Sequence, residues 1–477
     1  MRHVGKNSIF FGMGYFMPAL INIILLPIYV RYITPEDYGA LSLLVGLGGL
    51  LTVFMGLCVN RAIERLYINY PQEESGNFLY TVMVTVVLYA GILGGALTLF
   101  SDRIGYIIFR ESSPQYGYCL VLQIWVSFFL TFPMAVSAVY LIKEQSSWYA
   151  ALRVVNFFIL LVLTLMFLVI FNRGMEGIFE ALLLSSAVMA LFYLALVSPE
   201  LKINFAYKYV KSFLKYSLPL LPYNVFLIAI AYVDRFYINN FFSLKDVGVY
   251  SVASRLGMLM EVLVTSFAIA WQPFYYNRQE KDGFGSILER IAMIWIGLII
   301  FAALAISVFA REIVVFLTAP AYYEAYRIIP VLAIGYIFLA LYFFFVSCIL
   351  YSKKTLPMPL VSGLGLILDM ALLAFLTPIA GLMGSAACRA LAYLFMASLA
   401  FAFSLKRGSI RLEYRNILKI AALCALAFLI SGVANFSNMA YSIIYKSIVL
   451  AGAAFLLYYL KLIDIRVIKF FYLKAEE

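Results

Sequence analysis

A few ionisable side chains stand where their surroundings demand a reason. Arg153, Asp234, Arg235, Arg255, Glu261, Asp369 and Arg389 all fall inside long apolar runs of a 477-residue chain. A charge in such a setting costs free energy, so each must pair with a neighbour, hold a helix partner or serve a function. Arginine keeps its charge at any accessible pH and grips phosphate or carboxylate oxygens through a planar fork. A carboxyl in an apolar setting titrates closer to neutrality, which suits Glu261 and Asp369 to coupling with protons or sodium.

Each of these residues also has a structural alternative. Arg255 and Glu261 are six residues apart, a spacing that does not stack them on one helix face. Asp234 and Arg235 are adjacent and point about 100° apart, so one can face a cavity while the other meets a helix. That pair is either a fixed salt bridge or a gate that breaks on opening. Asp369 can neutralise Arg389. Arg61 and Arg65 lie one turn apart around Glu64 at the end of an apolar run, forming a basic mouth or an interfacial cluster that only snorkels.

The elements that position these groups follow from composition. Hydrophobic residues make up 65% of the chain and charged residues only 12%, far from the usual quarter charged of soluble domains. About fourteen apolar stretches succeed one another between Ser8 and Leu460. Each is roughly 20 residues long, enough for a helix to cross a hydrocarbon core of about 30 Å. Barrel strands would be half as long and would alternate. The fold class is therefore an all-α polytopic membrane protein. The start of the chain, with Arg2 and Lys6, leads into an uncleaved span, because a second span follows at once.

Lys and Arg are about three times as frequent on the side bearing the N-terminus as on the other. That side is expected to be cytoplasmic, with both termini there. The net charge of +11 is then a topology signal with anionic lipid headgroups as neighbours, not a nucleic-acid footprint. The five cysteines fall inside spans without paired spacing and read as small buried residues, neither disulfides nor metal ligands. No glycine-rich nucleotide loop, metal-ligand cluster or nucleophile elbow occurs, and the sole histidine is His3. Neither a cofactor, a metal nor intrinsic catalysis is expected. A membrane glycosyltransferase or ligase would want a polar catalytic loop, and a multidrug exporter would favour a carboxylate-rich cavity.

Sliding the chain on itself by 209 residues aligns Asp37, Gly39 and Ser42 with Asp246, Gly248 and Ser251. The expected organisation is an N-terminal lobe over 1–198, a basic amphipathic linker over 199–215, a second lobe over 216–404, and two added helices with a tail over 405–477. Six spans per lobe is an even number. The halves would then share one orientation about an axis along the membrane normal, with a site at their interface. Pro219 and Pro222 sit where the second lobe begins and are the best candidates for a hinge.

The run Leu26-Pro27-Ile28-Tyr29-Val30-Arg31-Tyr32-Ile33-Thr34-Pro35-Glu36-Asp37-Tyr38-Gly39 resembles the first-loop signature of bacterial polysaccharide flippases. Ser217-Leu218-Pro219-Leu220-Leu221-Pro222, Asp234-Arg235-Phe236 and Val247-Gly248-Val249-Tyr250-Ser251 resemble their seventh and eighth spans. These are the Wzx-like members of the multidrug/oligosaccharidyl-lipid/polysaccharide exporter superfamily, and the resemblance in span pattern covers the whole chain. It implies alternating access that carries an undecaprenyl-pyrophosphate-linked oligosaccharide from the cytoplasmic to the periplasmic leaflet. It also implies an ion gradient or membrane potential as the energy source and polysaccharide polymerase machinery as a partner. In that light Arg255 is the first candidate for the pyrophosphate, with Arg235, Arg153, Arg389, Arg61 and Arg65 as further substrate contacts. Asp234, Glu261 and Asp369 become the gating or ion-coupling candidates.

Overall fold

The computed structural model describes residues 23–111, 113–143, 145–278, 284–351, 357–405, 413–433 and 438–460, together with Ile21 and Leu462. The described residues form helices and their connections, with no strand. In chain order these are α1 (Ile23–Tyr32), α2 (Pro35–Gly56), α3 (Val59–Leu66), α4 (Gln72–Leu99), α5 (Ser101–Phe109), α6 (Pro114–Phe129), α7 (Thr131–Ile142), α8 (Ser146–Thr164) and α9 (Gly174–Val197). There follow α10 (Tyr207–Ser217), α11 (Leu221–Phe241), α12 (Leu244–Arg278), α13 (Phe284–Val308), α14 (Ala310–Leu317), α15 (Ile329–Tyr351), α16 (Pro357–Leu405), α17 (Tyr414–Val433) and α18 (Met439–Tyr459).

Among the described residues, twelve helices are long and apolar enough to cross a membrane. The longest, α16, has 49 residues and turns back on itself at Gly381, whose φ of 60° and ψ of −144° leave the helical region. Positive φ suits glycine, and Pro378 lies just ahead of the break. Thr377 and Ser385 hydroxyls meet at 3.1 Å across the bend. The two spans expected at 357–379 and 382–404 are the two arms of this element. The first expected span, 8–30, is described only from its last third, and the basic stretch 406–411 lies outside the described residues, as does His3.

The chain divides into two compact units, Arg2–Gly248 and Val249–Glu477. In the first, α2 packs on α6 and α11, α6 on α9, α8 on α9, and α3 on α7. The basic, aromatic segment ahead of α11 is part of this core. Tyr209 and Phe213 of α10 are buried with Phe78 and Val59, and Tyr70 stacks on Phe78 with centroids 4.9 Å apart. Lys208 and the Tyr209 hydroxyl both reach Glu74, at 2.8 and 2.7 Å. In the second unit α15 lies against α16, and α13 bridges α15 and α17. Pro219 sits in a 3₁₀ turn, Leu218–Leu220, that joins α10 to α11, and Pro222 occupies the first turn of α11; both are exposed.

The residues matched by the 209-residue offset begin α2 and α12 in the same way. Thr34 Oγ1 accepts from the Asp37 N–H at 3.1 Å and Ser243 Oγ from the Asp246 N–H at 3.3 Å, each closing a helix N-terminus. A Cβ at Gly39 would stand 2.0 Å from the carbonyl oxygen of Leu244, and one at Gly248 would stand 2.1 Å from that of Pro35. Leu244 and Pro35 are themselves offset partners. The two glycines therefore let two helix starts press together in a reciprocal contact that no side chain could occupy.

Candidate functional site

The intramembrane charges fall into classes set by what surrounds them. Asp234 and Arg235, on α11, are 0% and 2% exposed. The Arg235 guanidinium donates to Asp234 Oδ1 at 3.2 Å, to the Ala231 carbonyl at 2.7 Å and, through Nε, to Ser42 Oγ on α2 at 2.9 Å. Its carbon lies 4.6 Å from the centre of the Tyr232 ring. The pair thus fastens α11 to α2, through bonds from Nε and Nη1, an arrangement that fits a fixed salt bridge inside the first unit.

Arg255 is half-buried on α12, as is Glu261. The Tyr336 hydroxyl of α15 lies 3.5 Å from Glu261 Oε2. Arg389, on the second arm of α16, is 3% exposed, with its guanidinium carbon 5.7 Å from the centre of the buried Tyr250 ring. Asp369, on the first arm, is fully buried. Asp369 and Arg389 lie 12 and 8 residues from Gly381, so at about 1.5 Å per residue their depths differ by roughly one turn. Arg255, Glu261, Asp369 and Arg389 all belong to the second unit.

Arg61 and Arg65 occupy α3, a two-turn helix that follows a sharp break where Leu57 and Cys58 take positive φ, 47° and 54°. Both are exposed, and Arg61 pairs with Glu64 at 3.1 Å. Arg153 stands in the second turn of α8, half-buried, over the Tyr149 ring at 5.5 Å. Asn156, Ser185 and Tyr193 line the same small cavity.

The second unit also contains a long apolar cleft of about 600 Å³ between α13, α15, α16 and α17. Ile300, Ile337, Leu341, Phe401, Ala425 and Phe428 are typical of its walls, and among its lining residues only Ser307, Ser398, Tyr414 and Cys424 carry a side-chain heteroatom. A model for the family described as polysaccharide biosynthesis protein matches residues 4–276, more than half of the chain.

The chain belongs to that family. A relative from Haemophilus influenzae (strain ATCC 51907 / DSM 11121 / KW20 / Rd), Lsg locus putative protein 1, is 26% identical over 407 residues, spanning 80% of this chain and 95% of its own. Among solved structures, the Lipid II flippase MurJ in an inward closed conformation aligns with a TM-score of 0.79 at 15% identity, over 96% of this chain and all of its own. An inward-facing multidrug resistance MATE family transporter of the MOP superfamily aligns with a TM-score of 0.66 at 15% identity, over 85% and 96% of the two chains. These structures share its fold, and the family is the one its first-loop and seventh-span residues resemble.

Two features of this family member escape a reading of its sequence. Glu312 of α14 accepts from Ser442 at 2.6 Å and from Lys446 at 2.7 and 2.8 Å, tying the short helix after α13 to α18. Burial pushes the Glu312 carboxyl up, but the Lys446 and Ser442 hydrogen bonds outweigh it and leave the carboxyl below its ordinary range. Lys446 is a lone lysine within an apolar run, and that oddity was the available signal. The apolar cleft is the second. Its walls come from four helices whose individual patterns show only that they are apolar.

Proposed function

We propose that this protein is a flippase for a lipid-linked oligosaccharide, moving an undecaprenyl-pyrophosphate-linked repeat unit of a surface polysaccharide such as O-antigen from the cytoplasmic to the periplasmic leaflet. The observation that carries this reading is the apolar cleft of the second unit, in the same unit as Arg255 and Arg389. Its volume lies in the range of ligand sites, about 300–1,000 Å³, yet its walls offer almost nothing to a polar drug or sugar. A polyprenyl chain suits such walls. Lipid tails are as apolar as the cleft, so its role is to keep the tail beside the protein while the head crosses.

The head is anionic, and a path for it needs fixed positive charge. Arg255 is the residue we assign to the pyrophosphate, with Arg389 of the same unit as a further contact and Arg61 and Arg65 as a basic mouth. Glu261 and Asp369 are the carboxyls we assign to coupling with a proton or sodium gradient. Asp234 and Arg235 hold α11 to α2 while this happens. The richer side in Lys and Arg is assigned to the cytoplasm, with both termini there, in the bacterial inner membrane.

The leaflet distribution of lipid-linked oligosaccharide, read with a membrane-impermeant probe on oriented vesicles, tests this directly. Depleting the protein should accumulate the oligosaccharide on the cytoplasmic leaflet, and re-expression should relieve it. Arg255→Glu at normal membrane levels should fail to relieve it, whereas Arg255→Lys should largely succeed. An unchanged distribution, with altered resistance to cationic drugs, would instead assign the chain to drug export.

A further inference from the structure

Within the first unit, α6, α7, α8 and α9 enclose a cavity of about 90 Å³ that includes Leu130, Pro133, Arg153, Asn156, Ser185 and Tyr193 in its lining. Arg153 is the one charged residue in that lining. Among the described residues no carboxylate oxygen comes within 4.0 Å of its guanidinium. Its Nε is shut off from solvent and meets no acceptor there. The Tyr149 ring at 5.5 Å contributes a favourable quadrupole but accepts no hydrogen bond from it.

Of the other polar groups in the lining, Asn156 keeps unspent donors. Ser185 Oγ donates to Asn156 Oδ1 at 3.2 Å, which occupies the acceptor end of that amide and leaves its two N–H donors. Ser186, also in the lining, gives its own proton to the Leu183 carbonyl at 2.9 Å. The Arg153 charge and the Asn156 N–H groups are positive in sense, the Ser185 and Ser186 oxygens keep only lone pairs, and no carboxylate lines the cavity to balance the charge. A permanently charged guanidinium in a low-dielectric interior requires a counter-charge or several well-placed acceptors. One water needs about 10–15 Å³ of such space, so the cavity has room for a small ion and accompanying water.

We propose that this cavity binds a small inorganic anion of the halide class, with chloride as the cellular occupant, held by the Arg153 guanidinium and the Asn156 amide. Size and wall chemistry favour a halide over an oxyanion. A phosphate would carry up to two charges against one arginine, with Leu130, Pro133, Leu160 and Met189 as apolar neighbours. A monovalent, weakly hydrated ion matches the single charge and tolerates those walls. The bound ion would act as a fixed counter-charge that ties α8 to α9 and α6, independently of what the protein transports.

The test uses the full-length protein in lipid nanodiscs, with sodium gluconate replaced stepwise by chloride, bromide or iodide at constant ionic strength. The apparent unfolding temperature should rise saturably, by about 2–4 °C at a hundredfold excess over Kd. Arg153→Met should abolish the rise, Arg153→Lys should retain part of it, and Asn156→Leu should move its midpoint at least tenfold upward. Equilibrium binding of radiolabelled chloride to the wild type should show a saturable site, and Asn156→Leu should weaken it even if Arg153→Met does not fold. A rise of equal size in wild type and Arg153→Met would overturn the proposal. So would stabilisation by phosphate but not by halides, or the absence of saturable chloride binding.

Discussion

At the level of single residues, Arg235 shows how a buried arginine can be held by partners within the protein. Arg235 is as deeply placed as any, yet its donors go to Asp234, Ala231 and Ser42. Breaking such a pair costs on the order of 3–5 kcal/mol because the other charge stays buried. The sequence makes Asp234 and Arg235 recognisable as a motif and leaves open whether they hold or gate. The contact that favours holding is the one to Ser42, nearly two hundred residues away, and no local pattern carries it. Glu312 supplies a residue whose charge can be tested by pH. Its folded-state pKa lies below the ordinary value, so the stability it contributes is complete above about pH 4.3, the unfolded value. It is lost as pH falls through the depressed folded value. The protection of α18 amides in nanodiscs, the intrinsic exchange rate at each pH divided by the observed one, should therefore stay high at neutral pH and fall on acidification below about pH 4. Glu312→Gln should exchange faster at neutral pH and lose most of that acid response. An acid response unchanged in Glu312→Gln would place its origin in other groups.

At the scale of elements, most of what the sequence promises is visible. Span lengths, the helical class and the turn at Gly381 follow from apolar periodicity and from the glycine and proline that interrupt it. The contribution of α10 was less legible. Three lysines among aromatics suit a helix on a membrane surface, but Tyr209 and Phe213 point into the first unit, because Phe78 and Tyr70 offer them an aromatic pocket. The start of α2 teaches the converse. Asp-x-Gly-x-x-Ser is a weak motif as text, but Gly39 and Gly248 stand where a Cβ would fall 2.0 and 2.1 Å from a backbone oxygen. Since both obstacles are backbone, no rotamer change can relieve them. Gly39→Ala and Gly248→Ala should each cost about 2–3 kcal/mol of stability, as overpacking does elsewhere. Gly95→Ala, with open space around its position, should be neutral or slightly stabilising in helix α4. Apparent unfolding temperatures of the three variants check the order. Equal behaviour of all three would remove the close approach as the reason for the motif.

At the scale of the whole molecule, the role proposed for the apolar cleft is to guide a long lipid tail. Composition could not reveal it, because α13, α15, α16 and α17 are each apolar enough to cross a membrane. Only their packing leaves about 600 Å³ between them. Ala425 lines this cleft and is exposed within α17, so a large side chain there enters the open space and not a packed core. Ala425→Trp should therefore insert and fold as the wild type does. If the cleft carries the tail, translocation of an oligosaccharide on a full-length polyprenyl pyrophosphate should slow by at least about tenfold, a barrier change of roughly 1.4 kcal/mol. An analogue with a tail of two or three isoprene units does not need the cleft and should cross at the wild-type rate. The comparison separates guidance from damage, since a distorted protein would lose both substrates together. Equal rates for the long tail in variant and wild type would mean that the tail travels in bulk lipid, and the cleft would then be a packing feature of α17.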